Sequence, residues 1–191
     1  VPMFSFGRIT GADPMLGVEM ASTGEVGCLG TSLNDALLHG MLSTGFRFPK
    51  KGVLLSTGPV QDKYWFADEA RVIVEDLKLP LFATEGTAKM LNELGFQATV
   101  VGKTRDEPNS AMQCIERGDV DLVINVPRLY DEMGRPDGYQ IRRSAVDAGV
   151  PLVTDLQLAR AVVEALRTTR SEGMSLQAWS DYHAQSQRVL G

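Results

Sequence analysis

The sequence predicts an α/β fold: a flavodoxin-like three-layer sandwich around a mainly parallel sheet of about five strands. Three observations carry that expectation. From Gly52 onward, short apolar runs alternate with segments of helical period, and this order implies parallel strands joined by right-handed crossovers. The apolar runs are continuous and not alternating, as strands covered on both faces are. A length of 191 residues suits one domain, or one domain with a fragment of another.

Residues 1–30 come first and differ from the rest. They are rich in glycine and turn signals, such as Gly11-Ala12-Asp13-Pro14 and Ser22-Thr23-Gly24, and show no strong period. Such a stretch is expected to pack on something else. Ser32 then starts a helix, with Asp35 as a weaker capping-box acid, and Leu33, Ala36, Leu37, Gly40 and Met41 share a face. Ser43-Thr44-Gly45 ends it, and Phe46 to Lys51 reads as a linker. A boundary falls there, near residue 49.

The regular part follows. Val53 to Ser56 is the first predicted strand, and Phe66, Ala70, Ile73 and Leu77 mark the next helix. Leu81 to Ala83 is the second strand and runs straight into a helix from Thr84. Ala98 to Val101 is the third, followed by a helix holding Met112, Cys114 and Ile115 and closed by Gly118. Leu122 to Asn125 is the fourth. A polar loop from Arg128 to Asp137 precedes a helix from about Gln140 to Asp147. Pro151 to Thr154 is the fifth strand, before helices around Leu158–Leu166 and Leu176–Tyr182.

Composition narrows the function classes. A formal net charge of −5 argues against a general nucleic-acid binder but allows a local basic pocket. Cys28 and Cys114 lie apart in apolar surroundings, without CxxC or companion histidines. Buried reduced thiols are therefore expected, and neither a metal site nor a disulfide. No apolar run approaches membrane-spanning length, and the opening Val-Pro-Met-Phe-Ser-Phe does not read as a signal peptide. The chain reads as a piece cut from something longer.

Ligands of open α/β sheets bind outside the carboxyl ends of the strands. Here a small polar or cationic residue stands at nearly every such end. Ser56-Thr57-Gly58 ends the first strand, with Lys63 shortly after. Thr84 and Thr87 follow the second, Gly102-Lys103 the third, Asn125 the fourth and Thr154-Asp155 the fifth. This is a donor set for a phosphate or carboxylate. The Thr84-Glu85-Gly86-Thr87 turn adds a helix N-terminus, whose unpaired N–H groups and partial positive charge suit an anion. The alternative at that turn is a plain N-cap by Thr84. Arg142 and Arg143 are read either as a cationic rim or as a solvated helix face. His39 and His183 lie away from the strand ends. No catalytic residue is assigned, because no Ser-His-Asp set, phosphate-loop or dinucleotide fingerprint, or acid–base carboxylate pair is evident.

These residues carry a resemblance that spans essentially the whole chain. Gly11 to Val26 resembles the close of the second ATP-grasp unit in the large chain of carbamoyl-phosphate synthases, and Leu42-Ser43-Thr44-Gly45-Phe46 resembles the end of the following helix. Ala83 to Ala88, Leu122 to Asn125, Ile141-Arg142-Arg143 and Val150 to Asp155 are similar to that family's terminal, methylglyoxal-synthase-like regulatory domain. The resemblance implies that residues 1–48 are a remnant of the catalytic unit and 50–191 the allosteric domain. It implies a parent that makes carbamoyl phosphate from ATP, bicarbonate and ammonia or glutamine, for pyrimidine and arginine synthesis. The parent's ATP and magnesium ligands, with potassium a further candidate, lie upstream, so this chain alone is expected to need no cofactor and to be regulatory.

By the same resemblance, Lys63, Thr84, Thr87, Lys103 and Asn125 are effector-binding candidates, joined by Thr154 from its strand-end position, and a nucleotide such as UMP or IMP is the favoured effector. The N-acetylglutamate-regulated, ammonia-type enzyme is the alternative. That form has a tryptophan after the third strand and extra asparagines near the long loop, where this chain has Gly102 or Lys103, Arg128 and Gly138. A docking module without an effector is a third option. Methylglyoxal synthase activity is disfavoured, since Asn125-Val126-Pro127-Arg128 replaces the glycine- and aspartate-rich turn of those enzymes. Implied partners are the rest of the synthetase chain, a glutaminase subunit or domain and further copies of the regulatory domain, with no nucleic acid and no membrane. The implied location is cytoplasmic, or mitochondrial for a urea-cycle type.

Overall fold

The structure, a computed structural model, describes residues 2–15, 22–58, 64–127, 138–174 and 176–190. A small antiparallel ribbon opens the chain, β1 (Pro2–Met3) pairing with β2 (Gly24–Glu25). Helix α1 (Leu33–Ser43) follows, capped by the Ser32 hydroxyl, which accepts from the Asp35 N–H.

The central sheet is parallel throughout. Its strands are β3 (Val53–Thr57), β4 (Leu81–Thr84), β5 (Ala98–Val101), β6 (Leu122–Val126) and β7 (Leu152–Val153), in the order β5-β4-β3-β6-β7. The chain builds outward from β3 to β5, then crosses back to place β6 on the other side of β3. The order is that of the dinucleotide fold without its sixth strand and not the flavodoxin order, although the layers are those expected from the sequence. Between the strands run α2 (Ala67–Arg71, continued by a π-helical turn over Val72–Asp76), α3 (Glu85–Glu93), α4 (Ala111–Arg117) and α5 (Tyr139–Asp147). Helices α6 (Leu156–Glu172) and α7 (Trp179–Leu190) close the chain.

Successive strand residues point to opposite faces, so each apolar run feeds two cores. Val53, Leu55, Leu81, Ala83, Leu122 and Ile124 join one core with Leu38 of α1, Ile73, Leu91 of α3 and Val162 of α6. Leu54, Val101 and Val123 join the other, with Met112, Cys114 and Ile115 of α4 and Ile141 and Ala145 of α5. That is why the strands read as continuous apolar runs.

Two local devices end the elements that frame the strand tips. Ser110 and Gln113 form a reciprocal capping box at the start of α4, and Gly118 ends it in the left-handed region at φ 70°. At the opposite end of the sheet, the Asp121 carboxylate accepts from the backbone N–H groups of Lys50, Lys51 and Gly52 at 2.7–3.2 Å, fixing the entry to β3.

The first segment does pack on something else: α5. The Tyr139 hydroxyl donates to the Gly11 carbonyl at 2.7 Å. Arg143 donates to the carbonyls of Phe6, Ile9 and Ala12 at 3.1–3.3 Å, gathering an irregular stretch whose backbone acceptors lack a ladder.

Candidate functional site

The strand order puts a topological switch point between β3 and β6, where the crossovers diverge. The register sets Ser56 beside Asn125 and Thr84 beside Val101. A cavity of about 330 Å³ opens there, lined by Ser56, Thr57, Gly58, Thr84, Glu85, Gly86, Thr87, Val101, Lys103, Glu107, Asn125 and Val126. Four of the expected effector residues, Thr84, Thr87, Lys103 and Asn125, thus meet in one place. Lys63 lies outside the described residues.

The floor is made of buried hydroxyls. Ser56, Thr57, Thr84 and Thr87 are all under 9% exposed. Their mutual hydrogen bonds are long. Thr84 donates to Ser56 Oγ at 3.4 Å, and the Thr57 N–H reaches Thr87 Oγ1 at 3.3 Å. The hydroxyls of Thr57 and Thr87 stand 3.4 Å apart, and Thr87 donates to the Thr57 carbonyl at 3.5 Å. Hydroxyl bonds of full strength run near 2.8 Å. Thr84 sits at the N-cap of α3 with an extended backbone, yet its side chain makes no cap bond. The plain N-cap alternative therefore does not describe this turn. The first-turn residues Glu85, Gly86 and Thr87 border the cavity instead, offering the N–H groups and dipole that favour an anion.

Glu107 is a wall residue that the sequence reading missed. It accepts from the Thr104 hydroxyl and N–H at 2.8 Å and from the Lys103 N–H at 3.2 Å. The Thr104 hydroxyl bond, above all, holds this exposed carboxyl below its ordinary range. The loop that carries Lys103 is fixed by that carboxylate, and a side chain at Gly102 would meet Glu107 Cβ at 2.4 Å. The signal was present: Thr104-x-x-Glu107 is a capping-box spacing.

Other expected members go elsewhere. Thr154 is not brought to this cavity. It lines a larger one, about 590 Å³, between the first segment and the end of β7, with Phe4, Phe6, Met41, Phe46 and Leu158 among its walls. Its lining is mainly apolar, so donor chemistry, and not size, selects the strand-end cavity. Arg142 and Arg143 form neither a cationic rim nor a solvated face. Arg142 is fully buried, and Arg143 is 9% exposed. Arg142 donates to both Asp13 carboxylate oxygens at 2.7 and 2.6 Å and to Asn125 Oδ1 at 2.6 Å. Arg143 pairs with Asp147, whose hydrogen bond raises the guanidinium's proton affinity and, reciprocally, holds the Asp147 carboxyl below its ordinary range. The reason is the same for both: α5 turns this side toward the first segment, which supplies the acceptors.

Cys114 is buried and its thiol pushed up by desolvation, whereas Cys28 is only partly buried. His39 Nδ1 stands 2.9 Å from the Leu29 carbonyl, far in sequence from the strand ends. Among the described residues no group of three or more metal-type ligands is assembled, and no helix is long and apolar enough to cross a membrane.

Residues 70–154 match the MGS-like domain model. The chain is 42% identical over 177 residues to "Multifunctional protein URA2" of Saccharomyces cerevisiae, covering 87% of this chain and 8% of that protein. It is 40% identical over 173 residues to "Multifunctional protein pyr1-3" of Dictyostelium discoideum, covering 87% and 8%. It is 39% identical over 189 residues to "Carbamoyl-phosphate synthase [ammonia], mitochondrial" of Homo sapiens, covering 96% and 12%. The chain thus spans about a tenth of the length of these relatives. A crystal structure of methylglyoxal synthase from Elizabethkingia anophelis aligns at a TM-score of 0.41 with 16% identity, covering 71% of this chain and 95% of that one. The sequence matches carry the identification: this chain has an MGS-like domain and, at about 40% identity over most of its length, is similar to the C-terminal region of the carbamoyl-phosphate synthases and the related multifunctional proteins.

Proposed function

We propose that this chain is an allosteric effector-binding unit, and that its effector is a phosphorylated small molecule, a nucleotide such as UMP or IMP, seated in the strand-end cavity. One observation carries the proposal. Four buried hydroxyls and an uncapped helix start converge on a cavity where the bonds they make to one another are 3.3–3.5 Å long. A phosphate supplies several acceptor oxygens and would replace long bonds by short, charge-assisted ones. Lys103 adds cationic charge, and the Asn125 amide a further donor.

Glu85 and Glu107 stand at the same cavity. They favour a ligand with one anionic end and a hydroxyl-bearing remainder over a dicarboxylate such as N-acetylglutamate, which would set like charges against each other. The parent reaction is proposed from the names of the relatives. It is carbamoyl phosphate synthesis in a longer chain, whose ATP, magnesium and ammonia or glutamine chemistry lies outside these residues. Communication then requires only that the effector bind two states of the whole protein unequally.

The test is calorimetric titration of the 191-residue chain with UMP, IMP and N-acetylglutamate, beside a Thr84→Ala, Thr87→Ala variant. Saturable nucleotide binding, weakened about a hundredfold or more in the variant, is expected, since two charge-assisted hydrogen bonds are removed. Binding of N-acetylglutamate alone would overturn the choice of effector. Binding of none of the three would leave a docking module.

A further inference from the structure

We propose that Arg142 is the positioning residue of the strand-end cavity: it turns the Asn125 amide so that its NH2 group serves the ligand, and it ties that orientation to Asp13 of the first segment. The inference rests on the strand-end cavity being the effector site.

A carboxamide can be turned either way. Its oxygen accepts and its nitrogen donates, so the two orientations present opposite chemistry to a ligand. Asn125 is 1% exposed and ends a central strand beside Ser56. Guanidinium carries donors only. With Arg142 Nη1 at 2.6 Å, the amide oxygen must face Arg142. The NH2 group is therefore turned the other way, toward the Ser56 carbonyl, which it reaches only at 3.4 Å. Ser56 lines the cavity, as Asn125 does. Arg142 thus makes Asn125 a donor on the cavity side, the polarity an anion needs. The backbone of Gly138, at φ 82°, lies so close that a Cβ there would meet Asn125 Nδ2 at 2.6 Å and Oδ1 at 2.8 Å.

The other end of the guanidinium is committed just as firmly. Nε and Nη2 form a two-pronged pair with Asp13, whose side chain is 18% exposed while that of Arg142 is at 0%. A bidentate pair fixes the plane of the guanidinium, not only its charge. The plane, in turn, fixes where Nη1 meets Asn125. Asp13 does not line the cavity, yet its position is transmitted to a cavity donor through a single buried side chain. Whatever moves the first segment relative to α5 therefore changes effector affinity. By linkage, the effector changes the hold on the first segment by the same factor. Arg143 provides the contrast on the same helix: it holds the same segment by three carbonyls and pairs with Asp147 of its own helix, and no bond of these joins it to the cavity.

UMP and the full 191-residue chain test this, with the Asn125 side-chain NH2 resonances as the signature and calorimetry for affinity. Asp13→Asn keeps the shape and removes the charge that fixes the guanidinium plane. It is expected to shift the Asn125 NH2 resonances without ligand and to change UMP affinity by about fivefold or more, the lower end of typical coupling. Asp147→Asn removes an Arg143 partner that lies on α5 itself; the three carbonyl bonds to the first segment remain, so both readouts are expected to stay unchanged. UMP binding equally well to wild type and Asp13→Asn, with stationary Asn125 resonances, would overturn the relay and leave the proposed effector site standing. Equal effects from Asp13→Asn and Asp147→Asn would reduce Arg142 to a structural clamp. If UMP fails to bind the wild type, the effector reading fails. The ligand-free resonance shift in Asp13→Asn then decides the positioning role alone.

Discussion

Two polar clusters lie on either side of Asn125 and are built to different standards. Toward α5, Arg142 holds Asp13 and Asn125 by bonds of 2.6–2.7 Å. Toward the strand ends, the hydroxyls of Ser56, Thr57, Thr84 and Thr87 hold each other at 3.3–3.5 Å. Arg142, Asn125 and the four hydroxyl residues are all buried, so solvent does not explain the difference. A buried charge must be closely paired or the fold loses several kcal/mol, whereas neutral hydroxyls can sit in long bonds at smaller cost. The tight cluster is a structural commitment. The loose one keeps donor capacity that a ligand can use.

The sharpest way to break that distinction is Arg142→Met. It leaves Asp13 without its cation and the Asn125 oxygen without its donor. Stability to urea is expected to fall by about 3 kcal/mol, the lower end for a broken buried pair because Asp13 retains some solvent. A loss below about 1 kcal/mol would mean the pair is structurally idle.

Gly138→Ala tests the junction between the clusters. The residue occupies the left-handed region, and its added methyl would strike the Asn125 amide. A loss of about 2 kcal/mol is expected from backbone strain and contact together, with weakened UMP binding because the amide must move. Unchanged binding at reduced stability would detach Asn125 from the site.

Thr87→Val is the complementary change in the loose cluster. Thr87 is 2% exposed, and its hydroxyl makes only long bonds. Stability is expected to change by less than about 1 kcal/mol, because an apolar methyl replaces a weakly bonded hydroxyl in a buried place. UMP affinity should nevertheless fall about tenfold, the loss of one charge-assisted bond. If Thr87→Val destabilised the fold as much as Arg142→Met, the two clusters would not differ in kind.

The elements were legible because each strand is an unbroken apolar run and each helix carries its own period and stop, as at Gly118. The strand order was not. Nothing in the local pattern tells β6 to return beside β3, and that return decides which strand ends meet. Thr154 shows the consequence. It follows an apolar run as Thr84 does, but β7 is the third strand from β4, about 14 Å away at ~4.8 Å per strand. It therefore faces a different cavity. Arg142 and Arg143 were illegible for a related reason. Two arginines at a helix start look solvated until the segment 129 residues earlier in the chain supplies Asp13. Thr84, Thr87, Lys103 and Asn125 were readable because strand-end position alone places them. Glu107 was readable in principle from its spacing to Thr104.

The smallest expected effect sharpens the comparison by dissecting the tight side itself. Asp147 pairs with Arg143 but is largely solvated, its side chain 64% exposed. Its folded carboxyl is held below the ordinary value by the Arg143 hydrogen bond. A carboxyl depressed in the folded state contributes stability above its unfolded pKa, about 3.9 for aspartate, and loses it as the pH falls through the folded value. The Tm difference between wild type and Asp147→Asn should therefore be full at neutral pH, close below that range, and shrink in added salt. Arg143 still gathers three carbonyls without Asp147, so the difference should be small throughout. A large, salt-insensitive gap at neutral pH would mean that Asp147 and not the backbone carbonyls anchors the first segment. The tight cluster would then extend to the exposed flank of α5.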